Sequence, residues 1–343
     1  MALCSHGLRR QTDTGAIDTP RGPRLSFDLI TMGRVGVDLY PEQIGVSLTE
    51  VQTFRKSLGG SPTNVAVAAA RLGARAAVIT KVGDDLFGPY VRKAIEDFGV
   101  DPRWVGTHPA LRTPLVFCEI YPPDNFPLLF YREPTAPDMT IEPGDLDLDE
   151  IRAAKVLWTT GTGLSAEPSR ATTLAALRAR DDAPDGSITV HDLDHRPMFW
   201  DDEAEAGRWA REALAHATVA VGNRDEVAVA VGTRDPYEAS AALLDLGVQV
   251  AIVKRGPEGT LARTAGDVYE IAPVPADVVC GLGAGDAFGG ALAWALIQGW
   301  DVERAVLLAN AAGSFVASRL ACADDMPYRA DLDALLGAQL EAR

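Results

Sequence analysis

Hydrophobic positions along the chain fall into two rhythms that take turns. Phe27-Asp28-Leu29-Ile30-Thr31-Met32-Gly33 is a short apolar run closed by glycine, which predicts a buried first strand. Gly59-Gly60-Ser61-Pro62-Thr63-Asn64 then opens an alanine-rich helix over Val65–Leu72, stopped by Gly73. Ser61 suits the N-cap and Pro62 the first helical position. A strand over Ala76–Val82 and an amphipathic helix over Leu86–Phe98 follow, the latter stopped by Gly99. Further on, strands over Lys155–Thr160, Ser187–Asp192, Thr218–Val221 and Val248–Lys254 alternate with helices over Pro168–Arg180, Glu203–Leu214 and Pro236–Leu246. Two short strands, about Thr260–Arg263 and Val268–Ile271, precede helices over Ala287–Ile297, Val302–Ser318 and Ala330–Leu340. Repeated strand–helix units predict an α/β fold with a mostly parallel central sheet flanked by helices on both faces. Ligands on such sheets bind beyond the carboxyl ends of the strands, where Gly33, Asn223, Lys254 and the turn at Gly283 fall.

The alternation breaks in two places. Val35 to Leu58 mixes short β-like pieces with the turn residues Pro41 and Gly45. Thr113–Ile120 and Pro127–Arg132 are β-rich and joined by Pro122-Pro123-Asp124-Asn125, which predicts a hairpin. Together, residues 35–58 and 113–133 are expected to form a small β-sheet lid over a body spanning residues 25–343. Residues 1–24 carry Arg9 and Arg10 without a following apolar segment, so they read as a disordered extension rather than a secretion signal.

The net charge of −16 argues against nucleic acid or an anionic membrane as a bulk partner, while leaving room for a locally basic pocket. No apolar run approaches the roughly 20 residues that span a bilayer. Cys4, Cys118, Cys280 and Cys322 lack C-x-x-C or His-paired spacing. Neither a zinc site nor a disulfide framework is signalled, and reduced thiols in a cytoplasmic protein are expected. His191 and His195 flank Asp192 and Asp194, but strand alternation turns them to different faces and a third ligand is missing, so structural roles are expected.

Candidate chemistry concentrates at Cys280-Gly281-Leu282-Gly283-Ala284-Gly285-Asp286-Ala287-Phe288. Glycines present bare N–H groups at a helix start, where anions are attracted. Asp286 inside that turn is compatible with a helix cap. It is equally compatible with phosphoryl transfer to an alcohol, in which the turn steadies the migrating group and the carboxylate takes the hydroxyl proton. A P-loop is excluded because Asp286-Ala287 stands where Lys-Ser/Thr is required, and a dinucleotide fingerprint is excluded because Asp286 stands at its third glycine.

With these motifs in order, the chain resembles the pfkB, or ribokinase-like, carbohydrate kinase family. The matching elements are Gly59-Gly60 with Asn64 and Arg71-Leu72-Gly73, then Asn223-x-x-Glu226, Lys254-Arg255-Gly256-Pro257-Glu258-Gly259, the Cys280–Phe288 turn, and Ala309-Asn310-Ala311-Ala312. The resemblance spans about residues 27–340. It implies a ribokinase-like fold and the cofactors ATP and Mg2+. It implies Asp286 as the base, Gly283, Ala284 and Gly285 as the anion hole, and Asp38, Gly60 and Asn64 as holders of substrate hydroxyls. It further implies Asn223, Lys254, Gly256, Gly259 and Asn310 around the nucleotide, Glu226 holding magnesium through water, and pairing of lids into a homodimer. The family pattern begins Asp-Thr where this chain has Cys280-Gly281. In relatives that Asp helps hold a monovalent cation, so dependence on K+ stays open.

A narrower resemblance, to the branch acting on 5-dehydro-2-deoxy-D-gluconate at its 6-hydroxyl in inositol breakdown, rests on several stretches. They are Gly33-Arg34-Val35-Gly36-Val37-Asp38-Leu39-Tyr40-Pro41-Glu42-Gln43, Phe117–Asp124, Asp192–Trp200 and Gly281-Leu282-Gly283. A substrate carboxylate needs a cation. Arg132, in Phe130-Tyr131-Arg132, resembles the element that approaches the acid in ketodeoxygluconate kinases, and Arg196 is a second candidate. Another sugar or sugar-acid kinase of the family, such as fructokinase or 2-keto-3-deoxygluconate kinase, stands as the runner-up. A non-catalytic sugar-binding regulator is the alternative of another class; it would lack Asp286 or the anion hole, and both are present.

Overall fold

The computed structural model describes residues 26–337. The extension expected over residues 1–24, and residues 338–340 of the last predicted helix, lie outside the described residues. The chain enters through β1 (Leu29–Met32), β2 (Gly36–Pro41) and β3 (Phe54–Gly59), then α1 (Ser61–Arg71), β4 (Ala76–Gly83), α2 (Phe87–Asp97) and β5 (Val105–His108). The hairpin β6 (Leu115–Cys118) and β7 (Leu128–Tyr131) follows, then α3 (Leu148–Ala153), β8 (Val156–Thr160), α4 (Ser169–Ala179), β9 (Ile188–Asp192) and α5 (Glu203–Leu214). The rest is β10 (Val219–Asn223), α6 (Arg224–Val231), α7 (Pro236–Asp245), β11 (Val250–Lys254), β12 (Thr260–Arg263), β13 (Val268–Ile271), α8 (Ala284–Ile297), α9 (Val302–Ala317) and α10 (Arg329–Leu336).

Nine strands form the main sheet, in the order β13-β12-β11-β10-β9-β8-β1-β4-β5. From β5 to β11 every pairing is parallel, and only β12 and β13 run antiparallel at one edge. Alternate strand residues face opposite layers. Leu29, Val78, Trp158 and Val190 join a core with α1, α2, α8 and α9, while Ile30, Ala77 and Leu157 face a core with α3 and α4. The order reverses between β1 and β8, the kind of switch point where α/β sheets open a crevice.

Small residues set the most consequential helix contact. A Cβ on Gly290 of α8 would strike Ala68 of α1, and one on Gly289 would lie 2.8 Å from the Trp158 ring. The alanine-rich α1 and the two glycines let the helix backbones approach closely, which brings the N-termini of α1 and α8 together.

A second sheet, in the order β3-β2-β6-β7, is built from the two stretches that break the alternation. Asp38 pairs with Val116 and Val116 with Phe130, while Cys118 pairs with Leu128. Period-two alternation therefore puts these residues in one row on one face.

Three elements go beyond the sequence expectation, and the start of a fourth differs from it. Arg224–Val231 reads as alternating valine and alanine but is helical, because Asn223 and Glu226 form a capping box and Gly232 closes the helix in the left-handed region. α3 is short and starts at the Asp147 cap, and β5 is a polar edge strand; neither has strong apolar periodicity. In α1 the N-cap is Gly60, not Ser61, and no side chain caps the helix. The Ser61 hydroxyl is engaged elsewhere, on Asp286.

Candidate active site

Asp286 lies in the first turn of α8, after Gly283, which takes φ 80°. The first bond of that turn runs from Ala287 N–H to Gly283 O, at 2.9 Å. The N–H groups of Gly285 and Asp286 lie ahead of it, as donors for an anion. A Cβ on Gly283 would collide with Cys322 Sγ, so only glycine fits. The Asp286 carboxylate does not cap its own helix. It reaches across to α1, where Asn64 Nδ2 donates to Oδ2 at 2.8 Å and the Ser61 hydroxyl bonds it as well. Burial pushes this carboxyl above the ordinary range, opposed by those hydrogen bonds and by the Arg34 charge.

A cleft opens over this carboxylate between the two sheets. Arg34, Asp38, Tyr40, Gly60, Ser61, Asn64, Arg196, Leu282, Gly283, Asp286 and Cys322 line it, with Val116, Cys118, Leu128 and Phe130 of the small sheet as its apolar wall. Asp38 needs Gly59 beside it, and the Arg34 backbone needs Gly60. A Cβ on Gly59 would overlap the Asp38 carboxylate, and one on Gly60, at φ 103°, would strike Arg34 O. Burial raises the Asp38 carboxyl to about 7; Arg34 opposes this and Asp286 adds to it. Asn64 Oδ1 is buried with no hydrogen-bond partner among the described residues, an acceptor turned to the cleft it lines.

On the other side of the turn, Asn223 and Lys254 are paired at the ends of β10 and β11. Lys254 Nζ lies 3.9 Å from Asp192 Oδ2, and a Cβ on Gly285 would sit 3.6 Å from that ammonium. Burial opposes the Lys254 charge, but Asp192, Glu226, Asp194 and Asp286 outweigh it and its pKa is raised. Burial raises Asp192 as well, against the pull of Lys254. Gly256 and Gly259 take φ 59° and 82° in the loop after β11. Asn310 ties that region to α9: its Oδ1 accepts from Thr260 Oγ1 at 2.7 Å and its Nδ2 donates to Ala272 O at 3.0 Å.

Glu226 is buried beside Asp192 and Lys254, and its Oε2 accepts from Asn223 N at 2.7 Å. Such carboxylates suit a magnesium ion held through water. The position of the family's first Asp does not suit potassium. Cys280 is fully buried there and burial pushes its thiol up to about 11, so it offers neutral sulfur where a hard cation takes oxygen. Gly281 makes room for Phe126: a Cβ there would lie 2.9 Å from its ring, so the tip of the β6–β7 hairpin rests on the glycine turn.

Most residues singled out in the sequence converge here, and one does not. Arg132 is not among the cleft-lining residues. Its guanidinium forks onto Asp138, with 3.2 Å from Nη1 to Oδ2, and stacks 5.3 Å from the Phe199 ring, while Tyr131 beside it points to solvent. Arg132, expected at a substrate carboxylate, is thus engaged with Asp138, and Arg34 and Arg196 are the arginines that line the cleft. His191 is fully buried, with Nδ1 2.9 Å from Thr159 Oγ1. Sequence reasoning passed over Arg34, Tyr40 and Cys322. Tyr40 was findable, since it stands two residues after Asp38 on one strand face; nothing in the sequence pairs Cys322 with Gly283.

The glycine turn at the start of α8 and the Asp286 carboxylate thus open into one polar cleft. The chain belongs to the pfkB family of carbohydrate kinases, whose family profile matches residues 26–329. It is 33% identical over 314 residues to 5-dehydro-2-deoxygluconokinase from Geobacillus kaustophilus, covering 90% of this chain and 92% of that one. The protein of the same name from Listeria monocytogenes is 33% identical, covering 92% and 97%. Among solved structures, a fructokinase double mutant from Vibrio cholerae, in a form with fructose, ADP and potassium bound, has a TM-score of 0.81 at 26% identity. The match covers 91% of this chain and 99% of that one.

Proposed function

We propose that the protein transfers the γ-phosphoryl group of ATP to the 6-hydroxyl of 5-dehydro-2-deoxy-D-gluconate. The observation that carries this reading is the Asp286 carboxylate, held by Asn64 and Ser61 at the mouth of the α8 turn, in a cleft that also contains arginines. The names of the relatives support the choice of substrate.

In this reading Asp286 takes the proton of the attacking hydroxyl, and its raised pKa brings it nearer to the strength that task requires. The turn of Gly283, Ala284 and Gly285 is the anion hole and meets charge on the migrating group through the N–H groups of Gly285 and Asp286, with Lys254 beside them. Asp38, Asn64 and the Gly60 backbone orient the sugar chain, and Arg196 meets the carboxylate. Asn223 faces the phosphates, Gly256 and Gly259 shape the nucleotide loop, and Asn310 holds the strands that border the base. Asp192 and Glu226 would hold magnesium through water, where it supplies charge neutralisation to the phosphates.

The small sheet acts as a lid that excludes water as a competing acceptor. Its outer face exposes Leu129 and Tyr131 and pairs with a second lid in a homodimer. A cytoplasmic location, where ATP is supplied, goes with this reading.

The test is an acceptor panel of keto-deoxy sugar acids and neutral sugars with ATP. Preferred turnover of 5-dehydro-2-deoxygluconate is expected, and a preference for fructose or another neutral sugar would sink the assignment.

A further inference from the structure

Arg34, Asp194 and Arg196 form one unit along the cleft wall. Arg34 leaves the end of β1, and Asp194 and Arg196 leave the end of β9, with β8 between them. Arg34 Nη2 donates to both Asp194 oxygens, at 3.1 and 3.3 Å. Arg196 Nε donates to Asp194 Oδ1 at 2.9 Å, and Thr162 Oγ1 donates to Oδ2 at 3.2 Å. One carboxylate, 4% exposed, thus grips two guanidinium groups, each by one edge. Asp194 takes φ 28°, the one positive value at a non-glycine position among the described residues. A residue held there against its preference marks a place where the surroundings over-determine the backbone.

The remaining edges of both arginines are the informative part. Arg34 Nε is buried without a partner, and no described residue accepts from Arg34 Nη1 or from either Nη of Arg196. Both side chains line the cleft that contains Asp286. Two cations against one anion leave a net positive charge on this wall, while Asp38 and Asp286 supply the negative one.

We propose that Arg34 is the residue that makes this cleft specific for a sugar acid, and that Asp194 positions Arg34 and Arg196 as a paired clamp on the substrate carboxylate. The proposal rests on the sugar-acid reading given above. The arginine wall takes the acid end, and the carboxylate wall repels it, so the far hydroxyl is delivered to Asp286. A planar carboxylate accepting from two guanidinium groups gains both charge and direction. Asp194 does not touch the substrate; it acts by fixing which edges of the arginines are left to face it.

The experiment measures kcat and KM for 5-dehydro-2-deoxygluconate and for fructose in the full-length enzyme, with Arg34→Gln and Asp194→Asn variants. Arg34→Gln is expected to raise KM for the acid by about 10- to 100-fold, the range for a charged hydrogen bond, and to leave KM for fructose within about twofold. Asp194→Asn is expected to raise KM for the acid about tenfold with kcat changed little, and Arg34→Lys to recover part of what Arg34→Gln loses. Equal effects on the two acceptors, or an unchanged KM for the acid, would overturn the clamp. Wild-type enzyme inactive on every sugar acid would overturn the substrate reading, and the clamp with it. If Asp194→Asn does not fold, Arg34→Gln alone decides.

Discussion

The acceptor half and the nucleotide half of this site are built on opposite plans. On the acceptor side, the groups that hold one another also line one cleft: Asn64 is bonded to Asp286, and Arg34 and Arg196 to Asp194. On the nucleotide side, polar side chains are tied to one another. Asn223 and Glu226 cap α6, Asn310 holds Thr260 and Ala272, Arg224 pairs with Glu258, and Arg255 pairs with Glu270. In the proposed reading, what is left to face a nucleotide is backbone shape at Gly256 and Gly259, and the charge of Lys254. Moving a proton requires a few groups in a dry place with altered acidity. Holding phosphates requires N–H groups and charge, which a glycine loop and a helix end supply without elaborate side chains.

The hardest test of that contrast is Asp286→Asn, which should cut kcat about a thousandfold while ATP affinity, measured by calorimetry, stays within about twofold. Retained turnover would remove Asp286 as the base. Next in size, Lys254→Met should lower kcat about a hundredfold and raise KM for ATP, with KM for the acceptor unmoved. A change in acceptor KM would show that the two halves are not separable at Lys254.

Gly283→Ala probes the boundary between them. The added methyl meets Cys322, and the residue must also keep φ 80°, so a loss of about 1–3 kcal/mol in unfolding free energy is expected from chemical denaturation. Adding Cys322→Ala should return part of it.

Asp38→Asn is read through the dependence of stability on pH. The folded-state pKa of about 7 exceeds the unfolded value, so the folded protein holds the extra proton between about pH 4 and 7. This contribution to stability falls as pH rises through that window. Thermal melts should show a shallower decline from about pH 4 to 7 in the variant, and an unchanged slope would place the Asp38 titration elsewhere.

Much of this was open to reading in the sequence because the residues concerned obey local rules. Apolar runs ending in glycine gave the parallel strands, and Asn223 to Glu226 is at once a family motif and a capping box. Gly59 and Gly60 announced a close approach, though not that Asp38 and Arg34 were what approached. What stayed hidden is set by long-range packing. Ser61 looked like a cap until Asp286 claimed its hydroxyl. Arg132 looked like a substrate arginine because its local context fits one; Asp138, six residues on, had already taken its fork. Arg34 gave no local sign, since its partner Asp194 lies 160 residues away.

The hydrogen bond between Asn64 and Asp286 joins residues 222 positions apart. At ribosomal rates of about 5–20 residues per second, roughly 10–45 s separate the synthesis of its two ends. The small sheet and both arginines emerge well before the turn that carries the base. The cleft is lined from both ends of that interval, Arg34 to Asn64 on one side and Leu282 to Cys322 on the other, so a nascent chain cannot complete it until the turn that carries Asp286 has been made.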